Sequence, residues 1–309
     1  MVLDLEFVRT WWWMTRIAAP SYDSVCSALS LTCRAPSVHN CQPWRWLLAE
    51  RSLQLFLDVS RLPEELDPVG RAQVISCGAA LHHARVAFAA LGWRALVHRL
   101  PNPAQPGHLA SIQFSPRDQV SPEMVALAGL AGQRHTARFS FRAETVPQEL
   151  LTTLRAASET EHGVLVRAAE HRSLLVDALR RAAQYRETPE YQKAIADLDD
   201  PEPTAPVLTD EAELAVLATR GDRVDSWLAV GEALSAVLLA AAREGLVTCP
   251  LNQLGEVAEE RERVRAAVLG GGGNPQLVLR LGWRASDEPL PTTPRRVLAD
   301  SMELLPPRR

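Results

Sequence analysis

Residues 34–46 read RAPSVHNCQPWRW, and the fold turns on what such a stretch can be. Pro36 and Pro43 remove backbone donors and push Ala35 and Gln42 toward extended geometry, so neither a helix nor a strand interior suits the segment. It reads as a rigid connector that closes one element and opens another at Trp44. Between the prolines stand Ser37, His39, Asn40 and Gln42. Their polar groups either satisfy one another locally or point at something else.

Working outward, a helix is predicted around 22–33, with strands near 44–49 (WRWLLA) and 53–58 (LQLFLD) separated by a charged turn at Glu50–Ser52. Residues 72–91 have helical periodicity and stop at Gly92, a natural C-terminal cap. Strands near 93–98 and 110–114 and a helix at 122–132 follow. The second half then rhymes with the first. Gly78, Ala80, Leu81, Ala87, Ala89 and Gly92 recur as Gly231, Ala233, Leu234, Ala240, Ala242 and Gly245, all 153 positions later. Six matches in one register point to duplication of a whole domain rather than a solenoid period.

The expected organisation is an N-terminal extension at 1–19, a first half at 20–120 and a second half at 121–309. The second half carries an insertion at about 184–226. Its centre, DLDDPEPTAP, is acidic and proline-rich and is expected to be an exposed loop. Long insertions are often lids or binding loops. A lid and a plain surface excursion both remain open readings.

With 309 residues, 47% of them apolar and 23% charged, the chain has the composition of a soluble globular protein. The formal charge of −4 argues against a broad basic face for nucleic acid. Thirty-two of the 33 basic residues are arginine, which reads mainly as a genome composition effect and secondarily as a supply of planar forks for anions. Cys26, Cys33, Cys41, Cys77 and Cys249 are scattered, without CxxC or metal-ligand spacing, as expected for thiols in a reducing cytoplasm. Asp4, Glu6, Arg9 and Arg16 break the N-terminal apolar run too often for a signal peptide or a membrane span. Trp11–Trp13 read as a poorly ordered extension or as a surface contact, and both Met1 and Met14 are candidate starts. No segment elsewhere reads as the roughly 20 apolar residues needed to span a bilayer, so no membrane partner is expected.

Residues 133–142, QRHTARFSFR, place Arg134, His135, Thr136 and Arg138 at the end of a helical segment. Arginine forks, a hydroxyl and backbone N–H groups can together form an anion cradle. PTTPRRVL near the C-terminus adds Arg295 and Arg296. LGGGGNP (269–275) lacks the following Lys-Ser/Thr of a phosphate loop and reads as a turn before a strand at 275–283. GxSxG is absent, so Ser37 is no nucleophile elbow. His82 and His83 read as packed or surface residues, not metal ligands.

These motifs, in this order, resemble the FMN-dependent nitroreductases. PSVHNCQPWRW is similar to their PSxxNxQPW element, RHTAR to their phosphate element, and GLVTCPLNQ to the strand-end loop beneath the flavin. The resemblance is closer to the Acg-type nitroreductase-like proteins of actinobacteria. It is carried by RAPSVHN, LDPxGRxxxISCGAAL (66–81), RHTAR, TPEY, ATRGDxxxxWLxxGxAL (218–234), PLNQ and PRR, and it spans roughly residues 20 to 300.

The resemblance implies an α+β fold, internally duplicated so that one chain imitates the family homodimer. It further implies a pseudo-dimeric monomer, open to further dimerisation, in which one half supplies the loop and the other the cradle of a single FMN site. Arg134, His135, Thr136, Arg295 and Arg296 would then take the phosphate side, and Arg138 would stabilise charge on the reduced ring. Pro36, Ser37, Asn40 and Gln42 would contact the ring or ribityl chain, and the backbone of Leu251 and Asn252 the N5 region. The implied activity is NADH- or NADPH-dependent reduction of nitroaromatic or quinone-like electron acceptors, without a side-chain catalyst. Its rival is a catalytically silent, flavin-sequestering protein with a closed lid.

Overall fold

The computed structural model describes residues 19–196, 198, 208, 210–285 and 293–305. The expected extension (Ala19 apart) and all of DLDDPEPTAP except Leu198 lie outside the described residues.

Ser21 caps the first helix, α1 (Tyr22–Thr32), by accepting a hydrogen bond from the Ser24 amide at 3.2 Å. The connector follows and ends where β1 (Trp44–Ala49) begins. Trp44 and Trp46 are buried on one face of β1 while Arg45 stays half-exposed, the alternation of a strand lying on a core. Next come β2 (Ser52–Leu57), α2 (Arg71–Ala90), β3 (Trp93–Arg99), β4 (His108–Pro116) and α3 (Pro122–Gln133). Then follow β5 (Phe141–Arg142), α4 (Gln148–Thr160), β6 (Val164–Arg167), α5 (Arg172–Arg186) and α6 (Pro189–Ile195). The chain continues through β7 (Glu213–Thr219), α7 (Val224–Arg243), β8 (Val247–Leu251), α8 (Ala258–Leu269), β9 (Asn274–Arg284) and β10 (Met302–Leu304).

Two sheets result. The first runs β10-β1-β2-β4-β3, and the second contains β6-β7-β9, with β8 and β5 also paired to β9. Pairings β1/β2, β2/β4 and β4/β3 are antiparallel, as are β6/β7, β7/β9 and β9/β8, so one strand order occurs twice. Only β10 is parallel to its neighbour β1 among the described strands.

Between the sheets α2 and α7 cross with their backbones almost touching. A Cβ built on Gly78 would lie 2.1 Å from the Leu228 carbonyl oxygen, and one on Gly231 would lie 2.0 Å from that of Ile75. Glycine costs a helix interior about 1 kcal/mol relative to alanine. Here it permits a separation that no side chain allows. α7 is long and apolar enough to cross a membrane by length and composition alone, a run the sequence reading passed over. In the fold it is largely buried, packed against α2 and α4.

Within the expected 184–226 insertion, β7 is a buried strand hydrogen-bonded on both sides. The expected second half at 121–309 also reaches into the first. Its C-terminal arm returns to the first sheet, where Trp46, Leu47 and Leu48 pair with Met302, Glu303 and Leu304.

Candidate functional site

The connector's backbone is unusual before any ligand is considered. His39, Asn40 and Gln42 have φ of 45°, 52° and 51°, a left-handed region that non-glycine residues rarely enter. Such conformations cost roughly 1–3 kcal/mol each unless the surroundings enforce them. The surroundings do. The Val38 amide donates to Ser76 Oγ on α2 at 3.1 Å, and the Gln42 amide donates to Ser37 Oγ at 3.1 Å. Asn40 Nδ2 donates to the Pro294 carbonyl at 3.0 Å, and Gln42 Oε1 accepts from the Arg296 amide at 3.1 Å. The ring of His39 lies 2.9 Å, Nε2 to hydroxyl, from Tyr191 of α6. The strained turn is thus pinned by α2, α6 and the C-terminal arm.

Against this turn stands a cationic cluster. Arg134 ends α3, is only 6% exposed, and donates from Nη2 to the Arg34 carbonyl at 3.2 Å. Arg295 Nη2 reaches that same carbonyl at 3.4 Å. Arg134 Nε and Nη1 are buried and have no partner among the described residues. Burial first, then the charges of Arg295 and Arg34, pull the Arg134 guanidinium down to about 9. Burial also lowers the neighbouring His135. The 134–138 segment is fastened to β8, where Thr136 bridges Thr248 and the Ala137 amide donates to the Thr248 carbonyl at 2.8 Å. A buried guanidinium with no carboxylate on it is costly, and an anion brought to it is correspondingly favoured.

These groups open into one cleft, which encloses about 870 Å³ of space, part of it open to solvent. Nine of the twelve expected residues line it: Pro36, Ser37, Asn40, Arg134, His135, Thr136, Arg138, Asn252 and Arg295. Three do not. Gln42 is buried and holds Asn40 and the arm instead, donating to the Asn40 carbonyl at 3.2 Å. Leu251 packs into the core of the second sheet, and Arg296 enters through its backbone amide rather than as a wall. Ile75 from α2 and Leu234 and Leu277 from the second half supply apolar wall.

The sequence reading missed Arg71 and Gln276, which also line the cleft. Arg71 opens α2 and donates to the Gln276 carbonyl at 3.1 Å and to its Oε1 at 3.2 Å. Its guanidinium occupies the space where a Cβ on Gly255 would lie, 1.1 Å from Nη2. Burial, reinforced by Arg261, lowers Arg71 to about 10. The motif LDPVGRAQ held this residue in view, but nothing local distinguished it from a helix-start arginine. Arg186 was missed too. It is fully buried and ion-paired to Glu256, with Nε 2.9 Å from Oε2 and Nη2 2.5 Å from Oε1.

Fold and cleft together define an α+β protein with an anion-receptive cleft where two helix-backed sheets meet. The chain belongs to the nitroreductase family. The family model described as "Nitroreductase family" matches residues 131–283. "Putative NAD(P)H nitroreductase Rv3131" of Mycobacterium tuberculosis (strain ATCC 25618 / H37Rv) is 36% identical, over 92% of this chain and 92% of that protein. "Putative NAD(P)H nitroreductase acg" of the same strain is 35% identical, over 89% of this chain and 93% of that one. Among solved structures, a nitroreductase with bound FMN from Bacteroides fragilis NCTC 9343 aligns with TM-score 0.42 and 14% identity, over 55% of this chain and 94% of the other.

Proposed function

We propose that this chain is an FMN-binding oxidoreductase that takes hydride from NADH or NADPH and passes electrons to nitroaromatic or quinone-like acceptors. The observation that carries the reading is Arg134, which lines the same cleft as Ser37 and whose buried Nε and Nη1 have no partner among the described residues. A phosphate monoester supplies the oxygens that this donor set lacks, so the residues fit the group. Arg134, Arg295 and Thr136 would hold the phosphate, with His135 beside them. Ser37, whose hydroxyl hydrogen remains available, and Asn40 would meet the ribityl chain or ring edge, while Pro36, Ile75 and Leu277 offer apolar surface. Arg138 would stabilise negative charge on the reduced ring. FMN supplies the hydride-accepting chemistry when bound. The protein's own part is to orient it, exclude water and supply charge, which accounts for the lack of a side-chain acid or base in the proposal.

Duplication underlies this single site. The strand order β1-β2-β4-β3 is repeated as β6-β7-β9-β8. Residues 153 positions apart also meet one another, Gly78 against Gly231 and His82 Nδ1 with Ser235 Oγ at 2.7 Å. Self-pairing of equivalent positions is what an axis of two-fold symmetry produces. The reading is therefore of a monomeric pseudo-dimer whose halves contribute the loop and the cradle.

The second reading, a silent flavin holder, draws on one observation. Tyr191 of α6 is buried against Val38, Cys41, Leu62 and Leu66 and is bonded to His39, so this helix is fastened over the connector. The visible spectrum of purified protein, followed by anaerobic NADPH, separates the readings. Yellow protein that bleaches supports the reductase. Yellow protein that bleaches only with small artificial reductants supports the holder, and protein that takes up no FMN overturns both.

A further inference from the structure

We propose that the side-chain amide of Asn252 is a fixed hydrogen-bond donor to the molecule held in the cleft, and that Arg186 is the positioning residue that fixes it. The inference rests on the FMN reading and adds to it a residue role that the backbone contact expected at Asn252 does not contain.

Asn252 follows β8 and precedes the turn Gln253–Gly255, where it lines the cleft. Its Oδ1 accepts from Arg186 Nη2 at 2.6 Å. An arginine carries only donors, so the amide oxygen must face it. The reverse orientation would set N–H groups against N–H groups. The amide NH2 is therefore turned away from Arg186. Nδ2 has no protein partner among the described residues, and it is not sealed inside the protein.

Arg186 cannot easily release its hold. It has no exposed surface, Glu256 grips it through both carboxylate oxygens, and its Cζ lies 5.7 Å from the centre of the Tyr191 ring. A planar fork fixed on three sides gives the asparagine one orientation. The partner this donor selects is a lone-pair acceptor, a ring nitrogen or carbonyl oxygen, as on the edge of an isoalloxazine. A ligand presenting N–H at the same place is disfavoured, because a donor would face a donor.

Asn252→Asp tests the role with little change of shape. One carboxylate oxygen keeps the contact to Arg186, now charge-assisted, while the other replaces the NH2. Titration with FMN, read by flavin absorbance, should show at least tenfold weaker binding than wild type, with a thermal midpoint no lower. Asn252→Ala separates the lost donor from the added charge and should weaken binding about fivefold. Replacing Arg186 and Glu256 together by Met removes both buried charges at once and leaves the amide free to turn. That pair should weaken FMN severalfold and move its visible band toward that of free flavin. Wild-type affinity and band shape in Asn252→Asp or Asn252→Ala overturn the donor, and wild-type values in the Met pair overturn the role of Arg186. Wild-type protein that binds no FMN overturns the functional reading and this inference with it, whereas binding that the variants leave unchanged sinks the inference alone.

Discussion

On the proposed reading, Arg134 serves a ligand rather than the fold. A structural arginine is met by acceptors along its whole fork, as Arg261 is by the Asp222 carboxylate and the Pro275 carbonyl. Among the described residues Arg134 has one carbonyl partner and two idle nitrogens, Nε and Nη1. Removing it should therefore cost the flavin-free fold little. Arg134→Met is expected to lower FMN affinity at least a hundredfold in an absorbance titration while leaving the thermal midpoint of flavin-free protein unchanged or raised. A midpoint lower by more than a few degrees would mark the guanidinium as a structural strut. Residue types in RHTAR and PSVHN were legible because their chemistry is local. Arg71 was not, since its place in the cleft depends on Gly255 and Gln276, far along the chain.

At the scale of elements, the α2–α7 crossing governs the width of the cleft, because Ala72, Ile75 and Ser76 line it from one helix and Leu234 from the other. Gly231→Ala drives a methyl to within 2.0 Å of the Ile75 carbonyl oxygen, a clash relieved only by separating the helices. Overpacking of this kind costs typically 1–3 kcal/mol, and here about 2 kcal/mol or more is expected in denaturant unfolding, together with weaker FMN binding. Gly129→Ala on α3 is the control. That site is exposed, with nothing within 4 Å of the added atom, so the change should stabilise by up to ~1 kcal/mol. β1 and α2 could be read directly, the one from its strand-forming run before a charged turn and the other from the glycine at its end, their bounds falling within a residue or two. β7 could not. Its ELAVLAT run is buried at nearly every position, so the alternation that marks a half-buried strand is missing. It also sits next to an acidic, proline-rich stretch that read as loop.

For the whole molecule, acid should weaken the interface between the halves — a consequence of the histidines at its centre. His82 bonds Ser235, and Glu161 and Arg85 lie beside it. Burial outweighs the attraction of Glu161 and lowers His82 from 6.5 to about 4. Burial, with Arg134 and His82 nearby, also holds His83 well below the usual histidine range. Below about pH 6.5 the unfolded chain takes up protons that the folded chain refuses, so stability falls as pH falls. Between about pH 7.5 and about pH 5.5, His82 alone should remove on the order of 1.4 kcal/mol, measurable as a lower urea midpoint. His82→Gln should flatten that slope, and an unchanged slope would place the acid sensitivity elsewhere.

The C-terminal arm also sets a schedule for biosynthesis. β1 precedes every other described strand, yet its parallel neighbour β10 follows all of them and the cleft arginine Arg295 comes only after β9. A nascent chain paused before Pro294 would hold both sheets with one edge bare and the cradle short of a cation. On the proposed reading, cofactor loading waits until translation has passed the arm, because β1 with β10 is the longest-range strand pairing among the described residues.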